Sequence, residues 1–217
     1  MMTETAARYT LYGAPHSGAV AVEAVLTLLG LPYDVIDGET WHDEAARDRV
    51  QGVNPRRQVP TLILPGGEVM TESAAILIGL ADAHPAARLA PPLGDSRRFQ
   101  FLRWMMFVSS AIYALYWIKG DVARVGVSEA DEDRTIDAVH DAISKNWALM
   151  DEAVSPAPFI LGAELTVLDL YVAVISTFGP WRERFYETAP KLAAVVRRVD
   201  AEPRLATLWR TRLLRDD

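Results

Sequence analysis

Between residues 54 and 78 a loop, a hairpin and the start of a helix follow one another within about 25 residues, and few folds accommodate that order. The stretch reads Asn54-Pro55-Arg56-Arg57-Gln58-Val59-Pro60-Thr61-Leu62-Ile63-Leu64, then Pro65-Gly66-Gly67, then Glu68-Val69-Met70-Thr71-Glu72-Ser73-Ala74-Ala75-Ile76-Leu77. Val59 precedes a proline and is pushed into an extended conformation, while Pro60 brings no amide hydrogen to a ladder. The backbone amide and carbonyl of Val59 are therefore open to an extended, peptide-like guest. Thr61 to Leu64 and Val69 to Thr71, joined by Pro65-Gly66-Gly67, read as a β-hairpin. A helix follows at once: Thr71 or Ser73 supplies an N-cap hydroxyl, Ile76, Leu77 and Leu80 form its apolar stripe, and Pro85 stops it after His84. Amides at such a helix start attract a carboxylate, and Glu72 is the counter-charge for an amine on the same guest.

The rest of the chain is read around this stretch. Tyr9-Thr10-Leu11-Tyr12, bounded by Gly13-Ala14-Pro15, predicts a first strand. Val22, Val25, Leu26 and Leu29 predict a helix that Gly30 closes with a left-handed residue. Tyr33 to Ile36 predicts a second strand, parallel to the first because a helix connects them. Asp43 to Val50 reads as a short surface helix. Residues 85 to 95 hold three prolines and a glycine and read as a linker. Beyond it no strand pattern is visible. Phe101, Met105, Val108, Ile112 and Leu115 mark one long helix, and Ile136, Val139, Ile143, Trp147, Met150 and Val154 mark another, with Ser128 and Asp131 as its cap. Thr166-Val167-Leu168-Asp169 is a capping box with Asp in the usual Glu position, a folding feature. Further helices are expected around Pro190 to Asp200 and Pro203 to Leu214.

Composition narrows the chemistry. A chain of 217 residues, 50% hydrophobic and 24% charged, buries one large core or two modest ones. A net charge of −7 gives no electrostatic basis for binding nucleic acid or anionic lipid. There is no cysteine, so thiol chemistry must be carried by a bound molecule. His16, His42, His84 and His140 show no zinc spacing, no phosphate-binding glycine loop is present, and no metal is expected. The first residues lack a signal-peptide pattern. The longest uncharged apolar stretch, Trp104 to Ile118, has 15 residues, short of the roughly 20 that span a bilayer. A cytoplasmic protein without a membrane partner is expected.

Val59-Pro60-Thr61-Leu62 followed by Glu72-Ser73-Ala74-Ala75-Ile76 resembles the glutathione-binding signature of the cytosolic glutathione transferase family, in a bacterial, serine-type or unclassified class. The resemblance covers nearly the whole chain. It implies a thioredoxin-like α/β domain (βαβαββα) over residues 8–85 that binds glutathione, a linker over 86–95, and an all-α helical bundle domain over 96–217 that supplies a hydrophobic substrate pocket. It also implies that Pro60 is cis, that Val59 pairs with the cysteinyl part of glutathione, and that Glu72 and Ser73 hold the γ-glutamyl end. Gln58 stands where it could reach the glycyl end. Glutathione is then a co-substrate, the partner a small hydrophobic electrophile, the biological role detoxification, and the assembly a homodimer. Two positions depart from the family pattern: Arg57 stands where a glycine is common, and Gly18 stands where beta-class members carry a cysteine.

A free thiol ionises near pH 8.5, and lowering its pKa by about two units takes roughly 2.7 kcal/mol. One hydrogen bond to the charged sulfur supplies about 1.5–3 kcal/mol, so a single hydroxyl near a helix N-terminus suffices. Ser17, at the start of the first helix, is the preferred donor, with Tyr12 at the end of the first strand and His16 as alternatives. Tyr113, Trp104 and Trp117, on the first long helix, are the candidates for the electrophile pocket. A non-catalytic binding or regulatory protein on the same fold, or a glutathione-dependent isomerase or peroxidase, are the other functions this pattern allows.

Overall fold

The computed structural model describes residues 8–41, 43–178 and 182–213. His42 and Leu214, two residues named in the sequence reading, lie outside them. The first half runs β1 (Tyr9–Gly13), α1 (Ala19–Leu28), β2 (Tyr33–Asp37), α2 (Glu44–Gln51), β3 (Thr61–Ile63), β4 (Val69–Met70) and α3 (Ser73–Ala83), the βαβαββα order expected. The sheet order is β2-β1-β3-β4. β1 pairs parallel to β2 and antiparallel to β3, and the short β3–β4 hairpin closes the edge. Leu11 and Leu62, neighbours across the sheet, are fully buried under α1 and α3. Gly13 permits the close fit, because a Cβ there would lie 2.5 Å from that of Ala19.

The second half is helical: α4 (Arg98–Phe107), α5 (Ala114–Lys119), α6 (Glu132–Ala153), α7 (Val167–Ile175), α8 (Arg182–Thr188), α9 (Pro190–Asp200) and α10 (Ala206–Arg212). A π-helical stretch, Val108–Tyr113, joins α4 to α5 without a break. The resulting rod, Arg98–Lys119, is 22 residues long and exceeds the uncharged stretch read from the sequence because Arg98 and Arg103 lie within it. By length and composition alone it could cross a membrane, yet Phe101, Trp104, Met105, Val108 and Ile112 turn into the protein core. Two sequence expectations need correction here. The Ser128 hydroxyl donates to Asp131 and closes the short turn Glu129–Asp131, while α6 itself starts at Glu132 without a side-chain cap. The short helix α8 was not foreseen, since its segment is polar and buries only Phe185.

Every residue of α7 is buried, and the helix touches α1, α3, α4 and α9. Its first amides cannot reach water, so the chain must satisfy them internally. Asp169 does so. Its carboxylate accepts from the Ile160 amide at 2.8 Å, the Thr166 amide at 2.8 Å and the Thr166 hydroxyl at 2.7 Å. The Val167 amide donates to the Leu89 carbonyl at 2.8 Å, which ties the connector to the same helix start. Arg98, at the head of α4, makes a two-pronged pair with Asp82 of α3 at 2.8 and 2.6 Å and a third bond to the Pro91 carbonyl at 2.9 Å.

Burial pushes the Asp169 carboxyl up to about 6, against the opposing pull of its hydrogen-bond donors. The folded chain thus holds this proton more tightly than the unfolded chain does. The associated stability is complete below about pH 4 and is lost as the pH rises through about 6. Urea unfolding across this range should show the stability of the wild type, relative to Asp169→Asn, declining by on the order of 2–3 kcal/mol between pH 4 and 7. A constant difference would mean that the carboxylate does not titrate there.

Candidate functional site

Asn54 builds the loop that precedes Val59. Its buried side chain accepts from the Arg56 amide at 3.0 Å and donates to both the Gln58 carbonyl and the Thr61 hydroxyl at 3.0 Å. Thr61 in turn donates to the Gln58 carbonyl at 3.0 Å. The peptide bond from Val59 to Pro60 is cis. Among the described residues, no backbone hydrogen bond outside the helices and strands uses the Val59 amide or carbonyl. Both remain available on the edge next to β3. Gln58 is half-buried and its side-chain oxygen accepts from Arg56 at 3.0 Å, leaving its amide hydrogens for another acceptor.

Arg57 adopts a left-handed conformation, φ 52°, at the position where the family pattern has glycine. A side chain there costs roughly 1–2 kcal/mol. The guanidinium offsets that cost by donating to Gln51, Glu44 and Asp48 along α2, at 2.6, 3.0 and 3.4 Å. Arg57 is therefore a brace between loop and helix, and its charge is engaged with α2 carboxylates.

Glu72 also lies at positive φ, 63°, immediately before α3. This conformation leaves its carboxylate exposed beside the free amides at the helix start. No hydroxyl caps α3, contrary to the expectation for Thr71 or Ser73. The Ser73 hydroxyl is buried and meets the Tyr171 hydroxyl of α7 at 2.8 Å.

The start of α1 is tied down by several hydrogen bonds. The Ser17 hydroxyl donates to the Ala14 carbonyl at 2.6 Å and accepts from the Ala19 amide at 3.2 Å, and its residue is buried. Its hydrogen is directed to its own turn, so serving a guest sulfur would require the hydroxyl to rotate off the Ala14 carbonyl. Tyr12 is half-buried on the sheet face opposite Leu11. His16, at φ 54°, donates its backbone amide to the Arg212 carbonyl at 3.0 Å. Arg212 also donates from Nε to the buried Glu23 at 2.9 Å, so the last helix pins this loop. Gly18 donates its amide to the Tyr113 hydroxyl at 3.0 Å across 95 residues of sequence.

Tyr113 and Tyr171 stand edge to face with ring centres 6.3 Å apart, and Phe178 packs 5.3 Å from Tyr113. Through this pair the starts of α1 and α3 are drawn against one helical wall. Burial pushes the Tyr113 hydroxyl up to about 12, and Tyr171 is raised by the same cause, so both are neutral donors at physiological pH. Trp117 is exposed near this wall, with Arg124 stacked 5.0 Å over its ring. Trp104 lies further back along the same rod. It is buried 9 residues before Tyr113, edge-on to Phe107 at 5.4 Å and under Arg103 at 4.2 Å, because it lies on the face of α4 that packs into the core.

Sequence reasoning missed Asn54, Tyr171, Phe178 and the Glu23–Arg212 pair. Asn54 alone carried a local signal, the Asn-Pro turn; the others meet only through distant parts of the chain.

Comparison with known proteins gives a consistent set of likenesses. A family model described as glutathione S-transferase, N-terminal domain, matches residues 19–83. The uncharacterized GST-like protein YncG of Escherichia coli K12 is 31% identical over 196 residues, covering 90% of this chain and 94% of that one. Glutathione S-transferase GstA of Escherichia coli O157:H7 is 25% identical over 151 residues, covering 70% and 72%. Among solved structures, a glutathione transferase homologue from Sulfitobacter with bound glutathione has a TM-score of 0.83 at 21% identity, covering 96% of this chain and 100% of that one. A beta-class glutathione S-transferase from Sphingomonas chungbukensis has a TM-score of 0.75 at 25% identity, covering 92% and 96%.

Asn54→Ala removes three hydrogen bonds of this loop at once. It is expected to lower stability by about 2–3 kcal/mol in urea unfolding and to speed hydrogen exchange at the Arg56 and Arg57 amides. Unchanged exchange there would remove Asn54 as the organiser of the loop.

Proposed function

Since this chain belongs to the glutathione S-transferase family, we propose that it is a glutathione transferase whose groove binds the tripeptide and presents its sulfur to a hydrophobic electrophile. The observation that carries this reading is the unpaired Val59 backbone beside cis Pro60, followed within one hairpin by the positive-φ Glu72 at the mouth of α3. Val59 pairs with the cysteinyl unit, the α3 amides and Ser73 take the γ-glutamyl carboxylate, Glu72 takes its ammonium, and Gln58 reaches the glycyl end. The sulfur then falls toward the start of α1, where Ser17 and His16 shape the loop and Tyr12 flanks the strand end. In this assignment residues 8–85 bind the tripeptide, 86–95 connect, and 96–217 supply the pocket, with Tyr113 and Trp117 on its wall.

These parts define the reaction. The bound thiol loses its proton to solvent, and the thiolate forms a sulfur–carbon bond to the electrophile. The bond to the leaving group breaks, and the leaving group departs with the electron pair. A helix N-terminus next to the sulfur favours the anion. The proposal includes a homodimer in the cytoplasm. The exposed Phe99 and Met106 on α4 provide an apolar surface for a second copy, and light scattering should return twice the 24.0 kDa of one chain.

A second reading has one observation in its favour. With Ser17 bonded to Ala14 and glycine at residue 18, the expected position near the sulfur offers no free hydroxyl or thiol, which suits a protein that binds glutathione without turnover. Calorimetry and turnover of an activated aryl halide separate the two. The enzyme reading requires both heat and product; heat alone supports the binding protein; neither supports the groove as assigned. Glu72→Gln should weaken glutathione binding about 10- to 100-fold, the factor for one charge-assisted hydrogen bond. Undiminished affinity in that variant would remove Glu72 from the site.

A further inference from the structure

We propose that Tyr113, reaching from the helical half, is the catalytic hydroxyl that holds the glutathione sulfur, occupying the space that a side chain at residue 18 would fill. This rests on the groove being a glutathione site. A Cβ built on Gly18 would lie 2.8 Å from the Tyr113 hydroxyl, 2.9 Å from its Cε1 and 3.2 Å from its Cζ. The ring and a residue-18 side chain therefore exclude each other, and this chain has the ring.

The hydrogen-bond arrangement fits a donor. The Tyr113 oxygen accepts from the Gly18 amide, and among the described residues no acceptor is paired with its own hydrogen. The amide donated to that oxygen polarises the O–H bond and strengthens it as a donor. Burial keeps the hydroxyl protonated, so it stabilises a thiolate by hydrogen bonding and does not remove the thiol proton. Ser17, the rival hydroxyl just ahead of α1, has its hydrogen on Ala14.

The backbone explains how a residue so far along the chain gets there. Tyr113 is the last residue of the π-helical stretch Val108–Tyr113. A wide turn shifts the helical phase of the residues after it, and such turns recur at functional sites. Tyr171 and Phe178 then fix the ring from two sides.

The test measures the pKa of the bound glutathione thiol by ultraviolet difference titration of the thiolate, with calorimetry of glutathione binding in parallel. In Tyr113→Phe, which keeps both ring contacts, affinity should change by less than about threefold. The bound thiol should titrate at least one unit higher, and turnover at pH 6.5 should fall at least tenfold. Gly18→Ala, which displaces the ring while leaving its hydroxyl in the sequence, should raise the thiol pKa in the same direction. Tyr116→Phe removes a hydroxyl from the same aromatic cluster and should leave the titration in place. If Tyr113→Phe binds glutathione and its thiol titrates as in the wild type, this proposal is overturned while the groove assignment stands. If the wild type gives no heat with glutathione, both fall.

Discussion

A carboxylate with no exposed surface, Asp169, starts the helix against which the other layers pack. α7 is apolar apart from Asp169 and the Tyr171 hydroxyl and is buried along its whole length, so its first turn must be satisfied without water. Three donors converge on Asp169, and a fourth, the Val167 amide, goes to the connector at Leu89. The arrangement fixes where α7 begins, and with it the place of Tyr171. That residue's hydroxyl meets Ser73 at the mouth of α3, and its ring abuts Tyr113. A folding feature far from any reactive atom thus sets the wall of the candidate site.

The site itself is assembled from backbone in unusual conformations. His16, Arg57 and Glu72 all lie at positive φ without being glycine, and each is held by its surroundings: His16 by the Arg212 carbonyl, Arg57 by three partners on α2, and Glu72 by the first turn of α3. Such residues persist only where neighbours over-determine them. Here they bracket the Val59 edge and both helix starts. The polar groups at those starts are supplied by two neutral tyrosines from the helical half, in a chain that has no cysteine of its own.

Much of this was readable from residue order. Strand and helix signals at Tyr9, Tyr33 and Val22 are local, and so is the run from Asn54 to Leu80, where proline, glycine and a change of hydrophobic period mark each boundary. The capping box at Asp169 was equally plain. What residue order could not show shares a physical cause. A serine at a helix start has the same appearance whether its hydrogen goes to its own loop or to a guest, and Ser17 uses the first option. Trp104 and Tyr113 share one rod, and which of the two rings enters the core is set by packing from distant helices and by the wide turn Val108–Tyr113 between them. The α1 clamp requires Glu23 and Arg212 to meet across 189 residues, a contact that no spacing rule anticipates.

The proline-rich connector resembles a hinge in composition and is stitched down at both ends in space. Leu89 is buried with its carbonyl on α7, and Arg98 grips Asp82 while bonding Pro91. The spacing between α3 and α4 is consequently set by the chain itself. For the proposed site this means walls already in position, so that a guest which fits pays little to order them. Selectivity on such a frame would be a matter of profile, adjusted by individual side chains and not by the angle between the halves.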